Sequence, residues 1–362
     1  MNDCATANRL HPDLIRQLRS WYETRFSQKP TSIQVEEMDE RRFSRVCRVN
    51  FGGAAEPKTF VLKQNVDHEE NRVYRERGSA ANFEFEALQS VAPHMTSTDC
   101  FRVPLAHCVV PQHDALLMSQ EPGASLETLL PAARVTARKA TMQIAIDAFH
   151  GAGMWLSKFQ QLELGTSDSS ACLTSTLNHC DDRLQQIEKI SHPSVPDELR
   201  SDCLKKLTAW ISEVDGPVPL AACHGDFGPW NQMFDGTRLT VLDFFSYRID
   251  CRLIDPISML TYLESQRHAP SFSARRIERL QQAFLAGYDL DFEVPPQVIQ
   301  ICEAEQRLRR LHDCLMERGR HWGNRFRLAK TIHEQVEWLL GDSTTRDMNT
   351  KTDSFDLKRR KQ

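Results

Sequence analysis

Residues 223–231 read Cys223-His224-Gly225-Asp226-Phe227-Gly228-Pro229-Trp230-Asn231, and twelve positions past Asn231 lies Asp243, inside Val241-Leu242-Asp243-Phe244-Phe245. An apolar run over 239–242 ends in the carboxylate of Asp243, while the preceding Gly- and Pro-containing loop presents Asp226 and the amide of Asn231. Oxygen donors of this kind suit magnesium, which takes few protein ligands and keeps phosphate oxygens as others. A separate Asp near the metal, not spent as its ligand, can hold a hydroxyl nucleophile and accept its proton. Asp226, Asn231 and Asp243 supply those three parts.

The surrounding chain has the composition of an ordinary soluble globular protein, 40% hydrophobic and 26% charged. Its 362 residues leave room for two lobes with real cores. A net charge of −4 is too mild to announce nucleic acid, so no nucleic-acid partner is expected. The eleven cysteines form no Cys-x-x-Cys pair and read as reduced thiols packed as small hydrophobes. The N-terminus has no apolar signal core and no run reaches the length of a membrane span, so a cytoplasmic protein without a membrane span is expected.

Apolar spacing predicts a helix over 10–27, strands over 43–51 and 59–63 joined across Gly52-Gly53, and a helix over 80–91. A further strand pair is expected at 101–110 and 114–119, and Pro122-Gly123 marks a boundary. Beyond it the pattern turns helical over 136–162, 197–213, 275–290 and 298–340. The stretch 341–362 holds Met348, Phe355 and Leu357 as its only large apolar residues and is expected to be a disordered tail.

The ordered pair His-x-Asp-x-x-x-x-Asn and strand-borne Asp-Phe resembles the catalytic and metal loops of protein kinases. With Gly225 in second place it resembles the aminoglycoside phosphotransferase and choline kinase family, over roughly 33–265. The resemblance implies an α+β, bilobal protein-kinase-like fold: a small antiparallel-sheet N-lobe over 31–122 and a larger, mainly helical C-lobe over 123–340. A helical extension over 1–30 precedes them, and ATP with Mg2+ is expected in the inter-lobe cleft. It implies Asp226 as catalytic base, His224 as brace of the catalytic loop, and Asn231 and Asp243 as metal ligands. Lys63 closes Thr59-Phe60-Val61-Leu62-Lys63, where the family places its phosphate-binding lysine. Glu84 is the better partner for it, with Glu86 as fallback, because apolar residues follow Glu84 at +4 and +7. Gln120 and the backbone around it are expected at adenine, and Ser44, near a nucleotide-covering turn over 41–45, at a phosphate.

Three departures stand out: that turn has no glycine, Gln160 sits where many relatives carry His, and Met259 replaces the second acid of Asp-Pro-x-x-Asp. The implied reaction moves the γ-phosphoryl group of ATP to a hydroxyl of a small molecule: a sugar, glycan precursor, aminoglycoside or amino alcohol. Residues 307–330 hold eight cations against Asp313 and Glu317, a balance that fits a sugar or anionic acceptor better than a cationic one. The same arginines also read as a solvated helix face. Trp155, Trp230 and Trp322 are candidate sugar platforms or core residues. A nucleotide-binding regulatory pseudokinase is the alternative. A protein kinase is disfavoured, because no Ala-Pro-Glu segment or recognisable activation loop follows Asp243. Composition says nothing of oligomeric state.

Overall fold

The computed structural model describes residues 10–40, 44–53, 58–66, 79–96, 99–167, 169–288, 293–317 and 322–341. The chain forms two compact units, residues 1–123 with 233–247, and residues 124–232 with 248–362. The break after Gly123 falls at the Pro-Gly boundary, but 233–247 belongs with the first unit and not with the helical stretch around it. The reason is strand pairing: Leu239–Val241 runs parallel to Phe101–Arg102, a contact no local periodicity encodes. The expected tail lies outside the described residues from 342 onward.

In the first unit an antiparallel five-stranded sheet has the order β1 (Ser32–Glu40), β2 (Ser44–Gly52), β3 (Lys58–Asn65), β6 (Ala115–Ser119) and β5 (Ala106–Val110). Phe101–Arg102 is the short β4. Strand β1 is absent from the sequence reading because only Ile33 and Val35 precede its acidic end, and its pairing to β2 slips between Glu36 and Asp39. The helix Pro12–Phe26 opens with Pro at its first position, which costs no intrahelical donor. It buries Leu14, Leu18 and Tyr22 against β2 and β3; Tyr22 stacks on Phe51 at 4.6 Å, and Trp21 meets Phe60 edge-on at 5.4 Å. The helix Ala80–Met95 is capped by the Ser79 hydroxyl, which accepts from the Asn82 N–H, and packs on β3, β5 and β6.

In the second unit the helices Lys139–Gln160 and Ala274–Gly287 cross closely enough that a Cβ at Gly153 would sit 2.1 Å from the Phe284 carbonyl oxygen. A Cβ at Gly287 would meet the His150 carbonyl oxygen at 2.1 Å. The expected run over 298–340 is two helices, Pro296–Met316 and Trp322–Leu340. Pro296–Met316 packs against Ser169–Ile190, Leu199–Ser212 and Ile254–Gln266, around a core that includes Leu184, Leu207, Ile257 and Leu308. Two of these helices were not expected. Ile254–Gln266 is buried on nearly every side, so it lacks the polar face that marks a period, and Ser169–Ile190 dilutes its apolar stripe with Ser, Thr and Asn. A three-stranded antiparallel sheet places Val218–Cys223 between Leu164–Ser167 and Arg248–Cys251. That central strand delivers the chain to His224. Among the described residues no helix is long and apolar enough to cross a membrane.

Candidate active site

The first unit brings together Lys63, Glu84 and Asp243. Lys63 lies on β3 and donates from Nζ to Glu84 Oε2 at 2.7 Å and to Asp243 Oδ1 at 2.6 Å. Glu84 shares the buried helix face with Leu88 and Val91 and is 0% exposed, whereas Glu86 points to solvent. Asp243 ends the chain segment after Leu239–Val241 in a left-handed conformation, φ 68°, a costly one for a residue with a Cβ. The turn Phe244–Ser246 that follows packs against the Ala80–Met95 helix and holds that strain in place.

Two carboxylates share one ammonium here, a formal excess of one negative charge when both are ionised. Burial alone would depress the Lys63 ammonium, but the Asp243 and Glu84 carboxylates outweigh it and raise Lys63 above its ordinary value. Burial pushes the Glu84 carboxyl up, with Lys63 opposing it and Asp243 adding to it. A cluster with surplus negative charge and a hard oxygen at its edge is chemically matched to a divalent cation.

The second unit brings together His224, Asp226 and Asn231. Asp255, 0% exposed at the start of the Ile254–Gln266 helix, accepts the His224 N–H at 2.6 Å and the Gly225 N–H at 2.9 Å. The loop is thereby pinned at its two backbone donors. His224 Nδ1 in turn accepts the Asp226 N–H at 3.3 Å. Asp226 Oδ2 accepts from Asn231 Nδ2 at 2.9 Å and from Trp230 Nε1 at 3.3 Å, and Oδ1 accepts from Arg309 Nη2 at 2.5 Å. Arg309 Nη1 also donates to the Gly225 carbonyl at 2.8 Å. The Asn231 amide nitrogen donates to the Asp226 backbone and side chain, and its Oδ1 has no hydrogen bond among the described residues. That is the orientation a metal-binding Asn requires.

Other expectations fare differently. Ser44 opens β2 and is only 6% exposed, seated in the sheet opposite Asn65 and not on an open turn; residues 41–43 lie outside the described residues. Gln120 is exposed just after β6, and its neighbours Ser119 and Glu121 line a cavity of about 420 Å³ with Thr96, Arg102, Val103 and Leu105. Gln160 is buried, donating to the Arg252 carbonyl and accepting from the Tyr288 hydroxyl at 2.6 Å. Trp155 is core, stacked on Phe159 and Phe227, and the Trp322 side chain lies outside the described residues. Met259 is buried, and the bracing carboxylate is Asp255 itself. The sequence reading missed Asp255 and Arg309 as site residues. Asp255-Pro256 at a helix start was a usable signal for the first; nothing local marks Arg309, which is one arginine among many on its segment.

The fold is that of a kinase-like phosphotransferase. Residues 45–296 match the phosphotransferase enzyme family, and the chain belongs to it. No curated protein matches the sequence. Among solved structures, choline kinase LicA from Streptococcus pneumoniae is 14% identical with a TM-score of 0.52, covering 90% of this chain and 99% of that one. Plasmodium vivax ethanolamine kinase is 11% identical with a TM-score of 0.52, covering 91% of each. An amicoumacin kinase solved with AMP-PNP, Ca2+ and its ligand is 12% identical with a TM-score of 0.51, covering 91% of this chain and 96% of that one. At these identities the likeness is one of fold.

Proposed function

We propose that the chain transfers the γ-phosphoryl group of ATP to a hydroxyl of a small molecule. The observation that carries this is the Lys63–Glu84–Asp243 triad, a buried cation shared by two carboxylates, in a chain of phosphotransferase family. The amicoumacin kinase complex with AMP-PNP supports a nucleotide as donor. Bound magnesium–ATP supplies the phosphoryl group and spreads its charge in a loose transition state. Lys63, held by Glu84, grips the α- and β-phosphates. Asp243 would hold magnesium, and the Asn231 carbonyl oxygen is a further donor of the kind magnesium accepts. Asp226, oriented by Asn231 and Trp230, accepts the proton of the acceptor hydroxyl. His224 acts through the loop, fixing the Asp226 backbone, and does not itself take the proton. Residues 119–121, beside the cavity, meet the adenine.

Calorimetric titration of magnesium–ATP into the native chain and Asp243→Ala tests the assignment. The variant is expected to lose the magnesium-dependent part of binding; an unchanged isotherm would refute it.

A further inference from the structure

Building on the phosphotransfer reading, we infer that the acceptor carries an acidic group, a carboxylate or phosphate ester, and that Arg310 seats it. A continuous row of side chains leads away from the reacting carboxylate. Trp230 donates to Asp226 at 3.3 Å, its ring meets Tyr262 edge-on at 5.1 Å, and the Arg310 guanidinium lies over the Tyr262 ring at 5.1 Å. This pair of aromatics beside a catalytic carboxylate has the makings of a seat for an ammonium ion. The chain's own guanidinium already occupies the Tyr262 face.

Arg310 is half-buried, and Nε alone is engaged, donating to Ser265 Oγ at 3.1 Å. Its two terminal nitrogens have no hydrogen-bond partner among the described residues. A planar fork held from behind by Ser265 and from below by Tyr262 presents the geometry that carboxylate and phosphate oxygens accept. The nearby carboxylates have other partners. Glu127 accepts from the Tyr262 hydroxyl at 3.3 Å and Asp226 is paired to Arg309, while Asp313 lies 3.7 Å from His312 and shares its charge among His312, Arg309, Arg310 and Arg183 with no hydrogen bond to the Arg310 fork among the described residues. Arg309 on the preceding position leaves no net negative charge at Asp226 to repel an anion. A cationic acceptor would face two guanidiniums, an anionic one is matched.

The test uses the full chain with magnesium and a non-hydrolysable ATP analogue, titrated with sodium sulfate by calorimetry at constant ionic strength. Saturable sulfate binding is expected, weakened about tenfold or more in Arg310→Gln, the loss of one charge-assisted fork. Arg200→Gln, a distant arginine paired with Asp181, is expected to bind as the native chain does. Absence of saturable binding, or equal affinity in Arg310→Gln, overturns the inference, as does an equal loss in Arg200→Gln. In parallel, ATP turnover is compared on matched acceptors: glycerol against glycerol 3-phosphate, and glucose against gluconate. Preference for the acidic members that disappears in Arg310→Gln supports the assignment. Turnover favouring neutral or cationic acceptors overturns it while leaving phosphotransfer intact. Sulfate binding with no transfer to any hydroxyl compound overturns the phosphotransfer reading itself, and with it the anion's role as acceptor.

Discussion

Asp255 gives the sharpest link between folding energy and the site. It is 0% exposed, and its two oxygens accept the backbone N–H groups of His224 and Gly225 at 2.6 and 2.9 Å. Asp255→Ala orphans both donors in the interior. Each unsatisfied buried donor costs about 1–3 kcal/mol, so the pair predicts a loss of about 2–6 kcal/mol. Asp255→Asn keeps one accepting oxygen and turns an amide N–H₂ toward the other donor, for a loss of about 1–3 kcal/mol. The two variants therefore form a ladder. Urea unfolding reads the stabilities, and hydrogen exchange of the peptide spanning 223–231 should accelerate in the same order. Burial raises the Asp255 carboxyl above its ordinary value despite those two hydrogen bonds. The native state thus binds that proton more tightly than the unfolded chain, so this group's contribution is present at low pH and lost as pH rises through the raised value. Asp255→Asn should lack that slope. If Asp255→Ala stayed within about 1 kcal/mol of native, with unchanged exchange at 223–231, the anchoring argument would be wrong.

Other consequences follow from single contacts. Arg307, with a 3% exposed side chain, bridges Glu264 and Glu303 at 2.7 Å each; Arg307→Met should cost about 3–5 kcal/mol in a urea melt, and adding Glu264→Leu and Glu303→Leu should recover most of it. The His113 hydrogen bond, with help from Gln17 and Arg16, lowers the Asp13 carboxyl to about 2, so its contribution is present above its ordinary pKa of 3.8 and is lost as pH falls toward 2. Trp21 fluorescence should report loosening of the Pro12–Phe26 helix over that acid range in the native chain, and a flatter profile in Asp13→Asn. Gly153→Ala places a Cβ 2.1 Å from the Phe284 carbonyl and should destabilise the helix pair by about 1–3 kcal/mol, measured by thermal melting.

The residues of the two candidate clusters stood out in the sequence more than the framework holding them. Asp226, Asn231 and Asp243 lie within one short stretch, where spacing is informative, and Glu84 was distinguishable from Glu86 by helical period alone. Strand β1 and the helix Ile254–Gln266 were not legible, the first because its alternation fades into acidic residues, the second because a helix buried on most sides has no amphipathic signature. The return of 233–247 to the first unit was invisible for another reason: it depends on a parallel pairing between residues well over a hundred positions apart. Arg309 and Arg310 show the same limit. A basic run along a helix reads as a solvated face, yet Arg307 is buried in an ion network, Arg309 binds Asp226 and Arg310 covers Tyr262.

Transfer of label from [γ-32P]ATP to hydroxylated small molecules, compared between the native chain and Asp226→Asn, tests phosphotransfer at Asp226 most directly. The native chain should label an acceptor, and the variant should fall by about 10²–10⁴-fold while still binding magnesium–ATP. Undiminished labelling by Asp226→Asn would contradict it.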